Sequence, residues 1–372
     1  MTRRIYLDFN ASTPIVPEAV EAMGPFLTDH YGNPSSLHWA GTPAKDAVER
    51  ARGQVAGILG CDPAEVVFTS GGTESNNQAI QGTFLGNRER GNHIVTTAVE
   101  HPAVLEPCRF LERKLGARVT VLPVDRHGRV DPDDVRRAIT PDTVLVTVMH
   151  ANNEVGTVEP IPEIAAVARE AGVPFHTDAA QTVGKIGTEV EDLGVSLLSV
   201  AGHKVYAPKG IGALYIRAGT RIERFVHGAG HEGGRRSGTE SVLLAVALGA
   251  ACEAARRSTD MAAASSLRDR FWDGLREFFG ERVTLNGHPT ERLPNTLSVN
   301  FVGRVGSEIL AKMPGVAAST GSACHAGSVT LSPVLEAMGV PSGEGMGAVR
   351  FSLGRTTKWE ELAEVLALLR YS

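Results

Sequence analysis

The stretch VAGHKVYAPKGIGALYI, Val200 to Ile216, sets a short apolar run, a Gly-His-Lys turn and a glycine-punctuated second run in succession. The two apolar runs read as strands, so Lys204 falls where a strand gives way to a turn. In an α/β protein that is where side chains face a ligand. An ordinary surface lysine needs no such setting, because its stem lies along the protein and its charge sits in water. Lys204 is therefore either a solvated charge or a reactive amine, and the surrounding sequence has to separate the two.

Working outward, similar short runs recur with helix-like segments between them: EVVFTS (65–70), HIVTTA (93–98), RVTVLPV (118–124), TVLVTVMH (143–150), VPFHTDA (173–179), SLLSVAG (196–202) and IGALYI (211–216). This alternation predicts an α/β fold with a mostly parallel seven-stranded sheet and helices on both faces. After Ser241 the pattern changes. SVLLAVALGAACEAARR and MAAASSLRDRFWDGLREFFG read as long helices, NTLSVNF and AVRFSLG as strands, and KWEELAEVLALLR as a closing helix. The expected organisation is a large domain over 14–250, with 1–13 and 251–372 forming a smaller α+β domain.

Composition narrows the function class. The 372 residues are 42% hydrophobic and 21% charged, which suits a globular chain long enough for two cores. A net charge of −5 without a long basic run argues against nucleic-acid or membrane surfaces and for a small-molecule partner. The N-terminal MTRRIYLDFNASTP has two arginines but no apolar stretch behind them, so no signal peptide or anchor is expected and a cytoplasmic location is. Cys61, Cys108, Cys252 and Cys324 form no C-x-x-C pair, which speaks against a disulfide framework or structural zinc.

Three constellations carry chemistry. In FTSGGTESNNQAI (68–80) a strand runs into Ser-Gly-Gly-Thr and then a helical segment, so the backbone N–H groups at Gly72 and the Thr73 hydroxyl can face an anion such as phosphate; an ordinary capped turn has the same appearance. In PFHTDAAQTVGK (174–185) Asp178 follows directly on a strand with Gln181 three residues on. A carboxylate there can hold a ring N–H, as a pyridoxal pyridinium requires, or can cap a helix. Lys204 of GHK can form an imine with an aldehyde. A phosphate cradle, an acid for a pyridinium and an amine for an aldehyde, all at strand ends, together specify pyridoxal 5'-phosphate.

The sequence resembles the pyridoxal-phosphate cysteine desulfurases, a fold-type I group of class V aminotransferases close to selenocysteine lyase. The resemblance runs from YLDFNASTP through GNPSS, FTSGGTESNN, EHPAV, ANNEVG, HTDAAQ, GHKVYAPKGIGALY, RRSGTE and GSAC to RFSLGR. It implies that Lys204 carries the cofactor, Asp178 pairs with the ring nitrogen and Gln181 bonds the ring hydroxyl. His101 of VEHPAV is then the imidazole stacked on the ring and a catalytic candidate, with Gly72, Thr73 and His203 at the phosphate. Asn153 is expected beside the ring hydroxyl and the substrate, with Asn33 and Arg355 as further substrate contacts. A planar guanidinium matches a carboxylate with two hydrogen bonds, although a structural salt bridge would also account for Arg355. Thr239 of RRSGTE is implied to reach the neighbouring subunit's phosphate, which makes a homodimer the expected assembly.

In STGSACHAGS (319–328), Cys324 among Gly, Ser and Ala sits in poor core material, on a loop from which a thiolate can approach a substrate sulfur. GAGHEG (228–233) matches G-x-G-x-x-G, but the Arg-Arg-Ser-Gly run behind it breaks the strand–turn–helix context of a dinucleotide site. The chain also departs from the family pattern. Ala201 stands where many members have a phosphate-binding serine, and His325 follows the cysteine where selenocysteine lyases also have histidine. The chain ends soon after its last helix, so the extension that engages an iron–sulfur scaffold is not expected. The implied activity is conversion of L-cysteine to L-alanine with sulfur passing to Cys324 as a persulfide, and on to a sulfur-acceptor protein. Selenocysteine lyase and, less strongly, an aminotransferase are the alternatives.

Overall fold

The computed structural model describes residues 4–320, 322–325 and 328–370, with side chains for all of these except 322–325, 328 and 329. After β1 (Ile5–Tyr6) come β2 (Val66–Thr69), β3 (His93–Thr97), β4 (Arg118–Leu122), β5 (Thr143–Thr147), β6 (Phe175–Asp178), β7 (Leu197–Ala201) and β8 (Gly212–Ile216). The last seven form one sheet in the order β2-β8-β7-β6-β5-β3-β4. Pairing is parallel from β7 across to β4, whereas β8 is antiparallel to both β7 and β2. Only β8 therefore runs the other way, and the C-terminal ends of the other strands open along one edge. That edge is where an α/β sheet holds its ligand.

The strands read as continuous apolar or Thr-rich runs because both faces are covered. Every residue of β3, β5, β7 and β8 is buried, as expected of a sheet sandwiched between helices. The helices Thr42–Leu59 and Val242–Arg256 pack together through Val48, Ala51, Val55, Leu248, Ala251 and Cys252 in the main core. A Cβ at Gly249 would lie 2.7 Å from the Ala51 Cα, so only glycine allows this approach. Each well-buried aliphatic side chain here contributes about 1.5–3 kcal/mol, and Gly249→Leu would force the pair apart.

A second core gathers Ile5, Leu7, Phe271, Leu275, Phe301, Phe351, Leu362 and Val365. Its four-stranded sheet combines β9 (Val283–Leu285), β10 (Thr296–Phe301), β12 (Ser319–Thr320) and β15 (Ala348–Ser352) in the antiparallel order β12-β15-β10-β9. The two-residue β1 pairs in parallel with β11 (Val316–Ala317). A hairpin of β13 (Ser322–His325) and β14 (Ser328–Leu331) sets Cys324 opposite Val329. The N-terminal segment joins the two cores. Ser352 N–H donates to the Leu7 carbonyl at 2.8 Å, and six residues further on Thr13 N–H donates to the His203 carbonyl at 3.0 Å. Among the described residues no helix is long and apolar enough to cross a membrane.

Candidate active site

Strand ends place the chemistry. Lys204 ends the 3₁₀ turn Gly202–Lys204 that follows β7. A Cβ at Gly202 would lie 2.7 Å from the Ile211 carbonyl, which its N–H bonds at 3.0 Å, so glycine is what lets the chain turn there. The turn opens on a cavity of about 300 Å³ lined by Gly72, Thr73, Asn76, His101, Asn153, Asp178, Gln181, Ala201, His203 and Lys204, among others. A larger hollow of about 770 Å³ near Phe26, Trp39 and Arg50 has none of these strand-end groups. Convergent polar groups, rather than volume, mark the site.

The Lys204 Nζ donates to the Asn10 carbonyl, and to that of Ala11 at 2.8 Å. Burial lowers its pKa to about 8; the Arg350 charge acts the same way, while Asp8 and Asp178 act against both. A larger share of such a lysine is unprotonated at neutral pH than of a solvated one, so more of it is available as nucleophile or base. His203 is pushed down to about 4 by burial and by Lys204 and Lys209.

Asp178, 6% exposed at the end of β6, accepts from Asn76 Nδ2 at 2.7 Å through Oδ2 and from Ala180 N–H at 2.9 Å through Oδ1. The local turn and the cleft thus share this carboxylate. Asn76 Oδ1 is buried with no hydrogen-bond partner among the described residues, a polar atom left over at the cavity wall. His101 caps the helix Pro102–Leu115, its Nδ1 accepting from Ala103 N–H at 3.0 Å. In the neutral ring the proton is then on Nε2. Desolvation and the Lys204 charge lower its pKa, against the pull of Asp178.

Opposite, Gly72 and Thr73 begin the helix Gly72–Asn77, which passes through a π turn at Gln78–Gly82. The first N–H groups of a helix have no partner within it and suit an anion. A Cβ at Gly72 would come within 3.2 Å of the Ala201 Cβ, so Ala201 faces the cradle with a methyl group and no hydroxyl. Burial opposes ionisation of Glu74, but bonds from Arg236 and Ser70 outweigh it and hold the carboxyl below its usual value. These bonds tie the cradle to the RRSGTE segment.

Gly72, Thr73, His101, Asn153, Asp178, Gln181, His203 and Lys204 meet in one cavity. Three candidates lie outside it. Asn33 is exposed, with Oδ1 taken by Ser35 N–H at 2.9 Å. Thr239 is exposed on the loop after Ser237. Arg355 is the third: its guanidinium carbon lies 4.6 Å from the Tyr206 ring centroid and its Nε 3.9 Å from Asp260, beside a different hollow. The Cys324 side chain falls outside the described residues.

The sequence reading missed Arg350. Its Nη1 donates to the Asn153 carbonyl at 2.9 Å and its Nη2 to Asp8 Oδ1 at 2.7 Å, and its charge reaches Lys204. Its Nε is buried without a hydrogen-bond partner among the described residues. Asn76 and the Asn10 carbonyl were also missed, although both lie within motifs already singled out.

The profile of the family described as Aminotransferase class-V matches residues 5–365. A protein of Dictyoglomus turgidum named cysteine desulfurase IscS is 48% identical over 99% of this chain and 94% of its own length. Its namesake from Methanosarcina thermophila is 45% identical over 99% and 91%. Among solved structures, one titled NIFS-like protein superposes with a TM-score of 0.92 at 36% identity, covering 99% of this chain and 98% of that one. Another, titled SspA in complex with cysteine, gives 0.84 at 38%, covering 94% and 98%. With strand-end lysine, aspartate and glycine-threonine cradle on one sheet edge and a family match over nearly its whole length, the chain belongs to the class-V aminotransferase family.

Proposed function

We propose that the protein is a pyridoxal-phosphate-dependent L-cysteine desulfurase. The observation that carries this reading is the convergence of Lys204, Asp178 and His101 on one cleft in a chain whose full-length relatives are named cysteine desulfurases. The residues fit the cofactor: an amine near neutrality for the aldehyde, a carboxylate for the ring nitrogen and a glycine-threonine helix start for the phosphate, with Asn76 Oδ1 left unpaired beside them. When bound, pyridoxal phosphate supplies the aldehyde and an electron-accepting ring.

In this reading Gly72, Thr73 and His203 would hold the phosphate, Asp178 would pair with the ring nitrogen, Gln181 and Asn153 would bond the ring hydroxyl, and His101 would pack on the ring. Lys204, lowered to about 8, is unprotonated in part at neutral pH and takes the proton from the substrate Cα. Arg350 replaces Arg355 as the residue that receives the substrate carboxylate, because it borders Asn153 and acts electrostatically on Lys204. The Cys324 thiolate attacks the substrate sulfur. An S–S bond forms, the substrate C–S bond breaks, and the carbon fragment keeps that electron pair, takes up protons and leaves as L-alanine. Thr239, outside its own chain's cleft, is assigned to the partner's cleft in a homodimer, and the persulfide sulfur to an acceptor protein.

The test is Cys324→Ala with alkylation mass spectrometry on the wild type. The expected results are one extra sulfur on the Cys324 peptide of the wild type and loss of nearly all sulfide release in the variant. Unchanged desulfuration by the variant with no persulfide trapped would overturn the reading, and selenide release from selenocysteine that far exceeded sulfide release would replace it with a lyase.

A further inference from the structure

A second lysine lies behind the cleft. Lys185 is 9% exposed, and its Nζ donates to Gln181 Oε1 at 2.9 Å. At the other end of the same amide, Gln181 Nε2 donates to the Asn10 carbonyl at 3.0 Å, the carbonyl that also accepts from Lys204 Nζ. Gln181 lines the cavity and Lys185 does not.

The local sequence makes this return possible. Lys185 N–H bonds the Thr182 carbonyl at 2.9 Å, and Gly184 has a φ of 74°. A Cβ at Gly184 would lie 2.9 Å from the Ala255 Cβ, so both the backbone angle and the packing call for glycine. The turn brings residue 185 back beside residue 181.

A glutamine amide can be turned end for end with almost no change in shape, so its neighbours decide which end donates. A backbone carbonyl only accepts, and a lysine amine brings N–H donors. Reversing the Gln181 amide would set oxygen against the Asn10 carbonyl and, with Lys185 protonated, N–H against N–H, losing both bonds. The surviving orientation puts the amide nitrogen on the side of Lys204. We propose that Lys185 is a positioning residue that fixes Gln181 in this orientation, so that Gln181 meets the cofactor only as a hydrogen-bond donor. The inference rests on the reading that pyridoxal phosphate occupies the cleft and touches Gln181. Burial, with the charges of Lys204 and Arg350, lowers Lys185 to about 7. A neutral amine keeps N–H donors, so the bond survives loss of the charge; its lone pair can then accept as well, and the Asn10 carbonyl still disfavours the reversed amide.

The experiment measures the dissociation constant of pyridoxal phosphate from loaded protein by equilibrium dialysis, for Lys185→Met, Gln181→Ala and the double variant. Methionine keeps the apolar stem and removes the donor. Each single variant is expected to bind about tenfold more weakly, the scale of one hydrogen bond, and the double variant no more weakly than Gln181→Ala alone. Wild-type affinity in Lys185→Met, or losses that multiply in the double variant, would overturn the inference. Wild-type affinity in Gln181→Ala would remove the underlying reading of Gln181 and the inference with it. If Lys185→Met does not fold, Gln181→Glu decides: it keeps an oxygen for Lys185 and loses the donor, so weaker binding supports the proposal and unchanged binding overturns it.

Discussion

The two walls of the cleft treat charge in opposite ways. On the sheet edge, burial is left largely uncompensated: Lys204 is lowered to about 8, His203 to about 4, and His101 is lowered too. On the side of β15, Arg350 is 8% exposed, and its charge is matched by Asp8 at 2.7 Å and by the Asn153 carbonyl at 2.9 Å. A guanidinium does not give up its proton in a protein, so its burial has to be balanced by partners. Groups that exchange protons thus line the cleft, and a fixed charge stands beside it, bonded to the carbonyl of the lining residue Asn153.

The largest test of this division is Lys204→Ala, which is expected to reduce cysteine turnover by more than about 10³-fold. Borohydride reduction of the wild type and peptide mapping should place the pyridoxyl label on Lys204; label on another lysine would move the reactive wall elsewhere. Next comes Asp178→Asn, where loss of a charge partner costs a few kcal/mol, or about two to three decades in kcat. Activity equal to wild type would leave Asp178 as a turn residue only. Arg350→Lys is expected to raise KM for cysteine by about tenfold or more with a smaller change in kcat, because lysine cannot make the bidentate contact. Arg355→Lys should change KM by less than about threefold, and equal effects would erase the distinction between the two arginines. The smallest effect is on pH dependence. Loading of cofactor needs the unprotonated amine, so its rate should rise with pH and level off above about 8, the value to which Lys204 is lowered. Arg350 helps depress that value, so Arg350→Met should move the rise to higher pH, as measured by stopped-flow absorbance.

Much of the sheet-edge wall could be read in the sequence because its logic is local. Asp178 closes one buried strand and Lys204 the short turn after another, and a residue at the end of a parallel strand has only one edge to occupy. The other wall depends on tertiary packing. Arg350 and Arg355 are five residues apart in RFSLGR, and spacing alone does not say which one turns inward. β15 ends at Ser352, and a Cβ at Gly354 would sit 2.0 Å from the Phe9 ring. The chain is therefore drawn against Phe9, and Arg355 comes down over Tyr206. Asn10 was hidden for a different reason. Its contribution is a backbone carbonyl, and no side-chain pattern reports one. Asn76 lies only three residues beyond Thr73, one helical turn into the cradle segment, and its position opposite Asp178 depends on how that helix sits against β6.

The path of the N-terminal segment also bears on how the protein matures as it leaves the ribosome. Residues 5–13 emerge long before their backbone partners, which include Gly315, Ala317 and Ser352. The main core can close once Ala255 has appeared, but the segment that carries the Asn10 carbonyl to Lys204 still lacks its pairing partners. Contacts over so long a loop form late. A nascent chain therefore gains a sheet well before it gains a finished cleft, and cofactor capture becomes a late, nearly post-translational event.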